Sequence, residues 1–181
     1  MAALATSCVG GDSVRPGIAS SSKQGGIQSS VEPCGWAFLQ FDVAPLSEVQ
    51  QDEHRLSLLF RNTANVSCRL AGFPRVEFIG KARPPASYEV IYRMPEGGGS
   101  PGDLVLTPGT AAHAVLTFDA PGFGGTSIVP DPYIPDYLRV ELPDDTGSRT
   151  WGIPWTFGPV IYQDGATHPD NFVGPILAGE G

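Results

Sequence analysis

Between Leu56 and Ile79 the chain reads L-S-L-L-F-R-N-T-A-N-V-S-C-R-L-A-G-F-P-R-V-E-F-I, two apolar, alternating runs around a polar break at Asn62 to Ser67. A period of two marks a strand with one buried face, and Gly72 and Pro74 break the second run, so the stretch predicts consecutive strands joined by short turns. Leu56, Leu58 and Phe60 share one face while Arg55, Ser57 and Arg61 share the other, with Leu59 as the exception. Cys68 and Leu70, then Val76 and Phe78, continue the inward phase.

The pattern extends in both directions. Upstream, C-G-W-A-F-L-Q-F-D-V from Cys34 to Val43 is apolar on both phases and predicts a strand with little exposure. Ala44 to Glu53 is a polar connection, across which Trp36 to Val43 is expected to pair antiparallel with Arg55 to Asn62. Downstream, Y-E-V-I-Y from Tyr88, Leu104 to Leu106, Ala112 to Phe118, Leu138 to Leu142 and one or two strands within Trp151 to Tyr162 complete the set. Pro108 and Gly109 stand where a type II turn wants them. The glycine-rich E-G-G-G-S-P-G from Glu96 predicts a hairpin loop; cradling phosphate would call for a following helix N-terminus and usually a Lys. A tally of about seven to nine short strands without a repeat period predicts an all-β fold, a two-sheet β-sandwich of immunoglobulin-like type, with a β-barrel as the alternative.

Composition sharpens this reading. The 23 Gly and 18 Pro are spread along the chain and leave no capped run with helical spacing. A net charge of −8 with no Lys/Arg cluster argues against nucleic acid and anionic membrane surfaces, which reward stripes of positive charge. No apolar run approaches the roughly 20 residues that span a bilayer, so membrane association is expected only through an anchor.

The N-terminus offers one. M-A-A-L-A-T-S-C, small and apolar residues leading into Cys8, resembles the end of a bacterial lipoprotein signal, in which the cysteine receives a diacylglycerol; Ala5 stands where that motif prefers Leu. A basic region and an apolar segment are then expected upstream. Val9 to Glu32 is rich in Gly, Ser and Gln and reads as a flexible linker with an r.m.s. span of roughly 25 to 30 Å. The expected organisation is therefore a signal remnant at 1–8, a linker at 9–32, a β-sandwich domain at 33–165 and a C-terminal tail at 166–181.

Several spaced elements occur together: Cys34, L-L-F-R-N-T with Asn62 and Thr63, C-R-L-A-G-F-P-R-V from Cys68, L-T-P-G-T-A-A-H-A-V-L from Leu106, and L-R-V-E-L-P from Leu138. In this order they resemble the DUF4232 family, secreted and lipoprotein domains of actinobacteria without an established function. Family members commonly carry two further cysteines around the L-R-V strand, and both are missing here while Cys34 and Cys68 remain. The resemblance thus implies a Cys34–Cys68 disulfide, which suits an exported protein; the alternative is two reduced cysteines buried as small apolar side chains.

Candidate chemistry is sparse. His54, His113 and His168 fall in different predicted elements without metal-ligand spacing, and His113 is expected to face solvent from its strand. Asp131, Asp136, Asp144 and Asp145 lack the D-x-D spacing of a calcium loop and read as solvated turn acids. No G-x-S-x-G or H-E-x-x-H motif occurs. Trp151 and Trp155, four apart in T-W-G-I-P-W-T-F, share one face of a strand and are a candidate partner surface, with ordinary core packing as the competing account.

The expectation is a non-enzymatic, monomeric binding module without a cofactor, directed at a protein or glycan partner and not at nucleic acid. It would be lipid-anchored at Cys8 to the outer face of the cytoplasmic membrane or the envelope, or else secreted. The alternatives are an envelope enzyme acting on a polymer and a metal or small-ligand carrier.

Overall fold

A computed structural model describes residues 31–46, 53–81, 88–120, 133–144, 150–163 and 170–181. Every regular element among them is a strand, and no sheet closes into a barrel. The first sheet holds β1 (Leu39–Pro45), β2 (Glu53–Asn62), β7 (Ala111–Asp119), β10 (Phe172–Val173) and β11 (Leu177–Ala178), with the last two pairing successive parts of β7. The second runs β5 (Glu89–Arg93), β4 (Arg75–Lys81), β8 (Tyr137–Glu141), β9 (Trp151–Pro154). A two-stranded ribbon of β3 (Cys68–Ala71) and β6 (Asp103–Leu106) completes the sandwich. All these pairings are antiparallel.

The alternation read from the sequence decides which side chains meet between the sheets. Leu56, Leu58 and Phe60 of β2 and Ala112, Ala114, Leu116 and Phe118 of β7 are buried, as are Val76 and Phe78 of β4 and Leu138 and Val140 of β8. Phe78 meets Phe118 edge to face with ring centroids 6.1 Å apart, joining the layers. Each large apolar side chain so buried contributes roughly 1.5–3 kcal/mol. The T-P-G-T turn closes by Thr110 N–H donating to Thr107 O, and Gly109 takes φ 82°, the left-handed value a type II turn requires of that residue.

Four expectations are corrected. The first strand begins at Leu39, because Gly35 to Phe38 form a turn with Phe38 N–H on Gly35 O; its outer face, with Gln40 exposed, is open. The glycine-rich stretch is no hairpin loop: β5 pairs with β4 and β6 with β3, so it crosses between layers, with Gly97 N–H donating to Val173 O. Residues 170–181 belong to the domain and are not a tail. Val173 and Ile176 are core, and Asn171 is buried, accepting from Asp119 N–H at 2.8 Å and donating to Ile161 O at 2.6 Å. This segment also lies over the outer face of β7, so His113 is only half exposed and its Nδ1 meets Gly179 O at 3.2 Å.

Cys34 and Cys68 are disulfide-bonded, both buried, with Cα atoms 4.8 Å apart. Pairing of β1 with β2, Leu39 opposite Asn62, returns the chain to its start, and Cys34 N–H then donates to Arg69 O at 2.7 Å. Cys8, the linker to residue 30, Asp131, Asp145 and His168 lie outside the described residues.

Candidate ligand cleft

The sandwich is sealed on one side and open on the other. At β10 the backbone of Val173 donates to Pro95 O and accepts from Gly97, bridging to the segment that follows β5. On the opposite side β1 and β9 are both edge strands, and no backbone hydrogen bond among the described residues joins them. Between them lies a cleft of about 450 Å³ lined by Phe41, Asp42, Trp151, Ile153, Thr156 and Phe157 among others.

Alternation along β9 places Trp151, Ile153 and Trp155 on the inward face, and position then decides their fates. Trp151, at the strand's start, reaches the mouth of the sandwich and keeps 39% of its surface exposed. Its indole rests on Trp36 at 5.6 Å and on Phe41 at 6.4 Å between ring centroids, so the exposed face is braced from behind. Trp155 is drawn under the sheets, its N–H donating to Asp136 O. Only 8% exposed, it packs edge-on to Phe78 and Phe118 at 4.8 and 5.2 Å, and its indole N–H donates to Gly158 O. The two indoles therefore do not form a shared surface: Trp155 is core, and Trp151 alone faces the cleft. Phe41, Phe157 and Asp42 were not expected there, because only the register and the sheet order show which two edges face each other.

Asp42 is the one titratable side chain in the lining. Its Oδ2 accepts from Gln40 Nε2 at 2.9 Å on the exposed face of β1. His54 stacks on Phe118 at 5.3 Å, inside the first sheet and away from the cleft. Among the described residues no group of three His, Cys, Asp or Glu is placed to hold a metal ion. A second depression, of about 490 Å³ beside β6, has Arg61 at its wall, and that guanidinium is already paired with Glu180.

Together these features define a disulfide-linked β-sandwich with an aromatic cleft at one open edge. The model of the family described as "Domain of unknown function (DUF4232)" matches residues 34–171, and the chain belongs to that family. No curated protein and no solved structure matches it.

Proposed function

We propose that this domain is a non-enzymatic binding module of the cell envelope, held there by a lipid on Cys8, and that the cleft between β1 and β9 is its ligand surface. The observation that carries the reading is Trp151, a large ring left 39% exposed at the mouth of the sandwich while Trp36 and Phe41 support its other side. A braced indole loses little conformational freedom on binding, which is why such rings recur where affinity is concentrated. Beside it Asp42 and Thr156 supply polar atoms for hydroxyl groups. An aromatic face with neighbouring acceptors suits the stacked ring and hydroxyls of a glycan. The enzyme reading calls for convergent titratable groups and draws no support from a lining with a single carboxylate.

A protein segment is the second reading, and the edges of β1 and β9, which pair with no further strand among the described residues, favour it, since each can accept an added strand. Tryptophan fluorescence of wild type and Trp151→Ala, titrated with solubilised envelope polysaccharide, tests the proposal. Saturable quenching that is lost in the variant is the expected result. Saturable quenching that persists in Trp151→Ala overturns the cleft as the site, and no response to polysaccharide overturns the glycan reading. Acylation is tested separately: mass spectrometry of the Cys8 peptide from membranes should show a diacylglycerol adduct, and an unmodified peptide in the soluble fraction would refute the anchor.

A further inference from the structure

One residue of the cleft offers main-chain groups that neither the sheet nor the aromatic packing uses. The β8–β9 ladder sets Tyr137 opposite Pro154, and one step further Trp155 N–H donates to Asp136 O at 3.0 Å. Backbone groups alternate in direction along a strand, so Trp151, Ile153 and Trp155 turn their N–H and C=O toward β8, and Gly152 and Pro154 turn theirs toward the free edge. Proline has a carbonyl there but no N–H. Gly152 is therefore the residue of β9 that presents a donor and an acceptor side by side at the edge.

Both groups are open. Gly152 is exposed, lines the cleft beside Trp151, and exchanges no backbone hydrogen bond with any described residue on that side. The space about it is free as well: a Cβ built there meets only the Tyr137 ring, at 4.0 Å. Its neighbour Trp151, braced by Trp36 and Phe41, supplies a flat apolar face.

A donor and an acceptor that point the same way select the chemistry of their partner. A carboxylate or phosphate only accepts, so it would leave the Gly152 carbonyl unpaired. It would also meet Asp42, the one titratable side chain of the lining, with no cation there to offset the repulsion. An ammonium only donates and would leave the N–H unpaired. A hydroxyl does both, and two hydroxyls on adjacent ring carbons can accept from the N–H and donate to the C=O together. The same ring then lies against Trp151, the residue next to Gly152 in the strand.

We propose that the main chain of Gly152 fixes the ligand class of this cleft: its N–H and C=O bind two adjacent hydroxyls of a neutral sugar whose ring stacks on Trp151. This rests on the cleft being the glycan surface and adds which glycans it takes, neutral ones with vicinal hydroxyls in preference to acidic polymers. Gly152 is a positioning residue that sets the orientation of the ring on the indole.

The edge position makes the donor removable. Gly152→Pro deletes an N–H that no ladder bond uses, at a strand edge, where proline is tolerated and where Pro154 already stands two residues on. Gly152→Ala keeps the N–H and meets nothing closer than 4.0 Å. The probe is envelope polysaccharide separated by anion exchange into neutral and acidic fractions. The readouts are tryptophan fluorescence and the Gly152 amide signal of the ¹⁵N-labelled protein. Saturation by the neutral fraction is expected, with a shifted and exchange-protected Gly152 amide. Binding should weaken roughly three- to tenfold in Gly152→Pro, as the loss of one hydrogen bond implies, and hold in Gly152→Ala. Saturation by the acidic fraction alone would overturn the ligand class. Neutral-fraction binding that is lost in Trp151→Ala, yet unchanged in Gly152→Pro or without a shift of the Gly152 amide, would overturn the role of Gly152 while the cleft itself stands. No saturation by either fraction overturns the glycan reading and this inference with it. The Gly152 amide signal needs no substitution, so it decides the role should the proline variant fold poorly in its circular dichroism melt.

Discussion

The side-chain amide of Asn62 donates to the main-chain carbonyl of Leu106 across 2.9 Å, joining the end of β2 to the end of β6. The same Nδ2 donates to Val66 O, and Oδ1 accepts from Ala64 N–H at 3.0 Å. Asn62 is fully buried, so one side chain satisfies groups of the turn after β2 and of the two-stranded ribbon together. Asn62→Ala leaves two carbonyls and one N–H to find other partners away from water. With each unsatisfied group costing about 1–3 kcal/mol and water reaching the turn side, a loss of roughly 2–4 kcal/mol is expected. Urea denaturation measures it, and a loss below about 0.5 kcal/mol would show that the amide is dispensable.

The disulfide closes a separation of 34 residues. In the chain-entropy account, a loop of that size stabilises by roughly 3–4 kcal/mol. Cys34→Ala with Cys68→Ala should therefore lower the melting temperature by about 10 °C in a chain of this length, and Cys8→Ala should leave it unchanged. Calorimetry checks both, and an unchanged melt for the double variant would contradict the entropic account.

How far these features were legible in the sequence depends on how locally they are encoded. The burial of Leu56, Leu58 and Phe60 follows from period two alone, because one face of a sheet is covered whatever covers it. Leu59, the exception, lies opposite His113, and His113 lies opposite Leu177, so its row on the outer face is completed by β11, over a hundred residues downstream. The strands after residue 170 are two residues each and carry no period to read; the first is anchored beside the side chain of Asn171, which donates to Tyr92 Oη and Ile161 O and accepts from Asp119 N–H. Alternation placed Trp151 and Trp155 on one face but is silent on which lies at an edge. The cluster of arginines around Glu77 was invisible, since Arg75, Arg93 and Arg139 stand 2, 16 and 62 positions from it and converge only through the order β5-β4-β8.

Tyr133 gives a pH dependence. Its hydroxyl donates to Val90 O at 2.9 Å, and burial first, then the negative charges of Asp136 and Glu89, push its pKa well above the ordinary tyrosine range. The folded state thus keeps a proton that the unfolded chain releases near pH 10. This contribution to stability is complete below about pH 10 and disappears as the pH climbs through the raised folded value. Wild type should lose stability above pH 10 more steeply than Tyr133→Phe, and the phenolate absorbance that distinguishes the two should emerge only with alkaline unfolding. A phenolate signal from Tyr133 near pH 10 in intact protein would contradict this.

Glu77 is buried on the outer face of the second sheet, where its carboxylate accepts from Arg75, Arg93 and Arg139, and Glu77→Gln tests that cluster. The substitution keeps the size of the side chain and removes the negative charge, leaving Arg75, Arg93 and Arg139 around a neutral amide. Removing one partner of a buried ion pair costs about 3–5 kcal/mol where the remaining charge stays dry. Here the guanidinium groups are 27–59% exposed, so water relieves part of the repulsion and a loss of roughly 2–3 kcal/mol is expected. The residual term is repulsion between like charges, and salt screens it: the Debye length falls from about 30 Å at 0.01 M to about 10 Å at 0.1 M. Urea, which unlike guanidinium chloride adds no ions, is the denaturant of choice. The midpoint of the variant should rise with added sodium chloride more than that of wild type, whose three arginines are held by attraction. A variant within about 0.5 kcal/mol of wild type at low salt, with the same salt response, would mean that Glu77 does not hold the three arginines together.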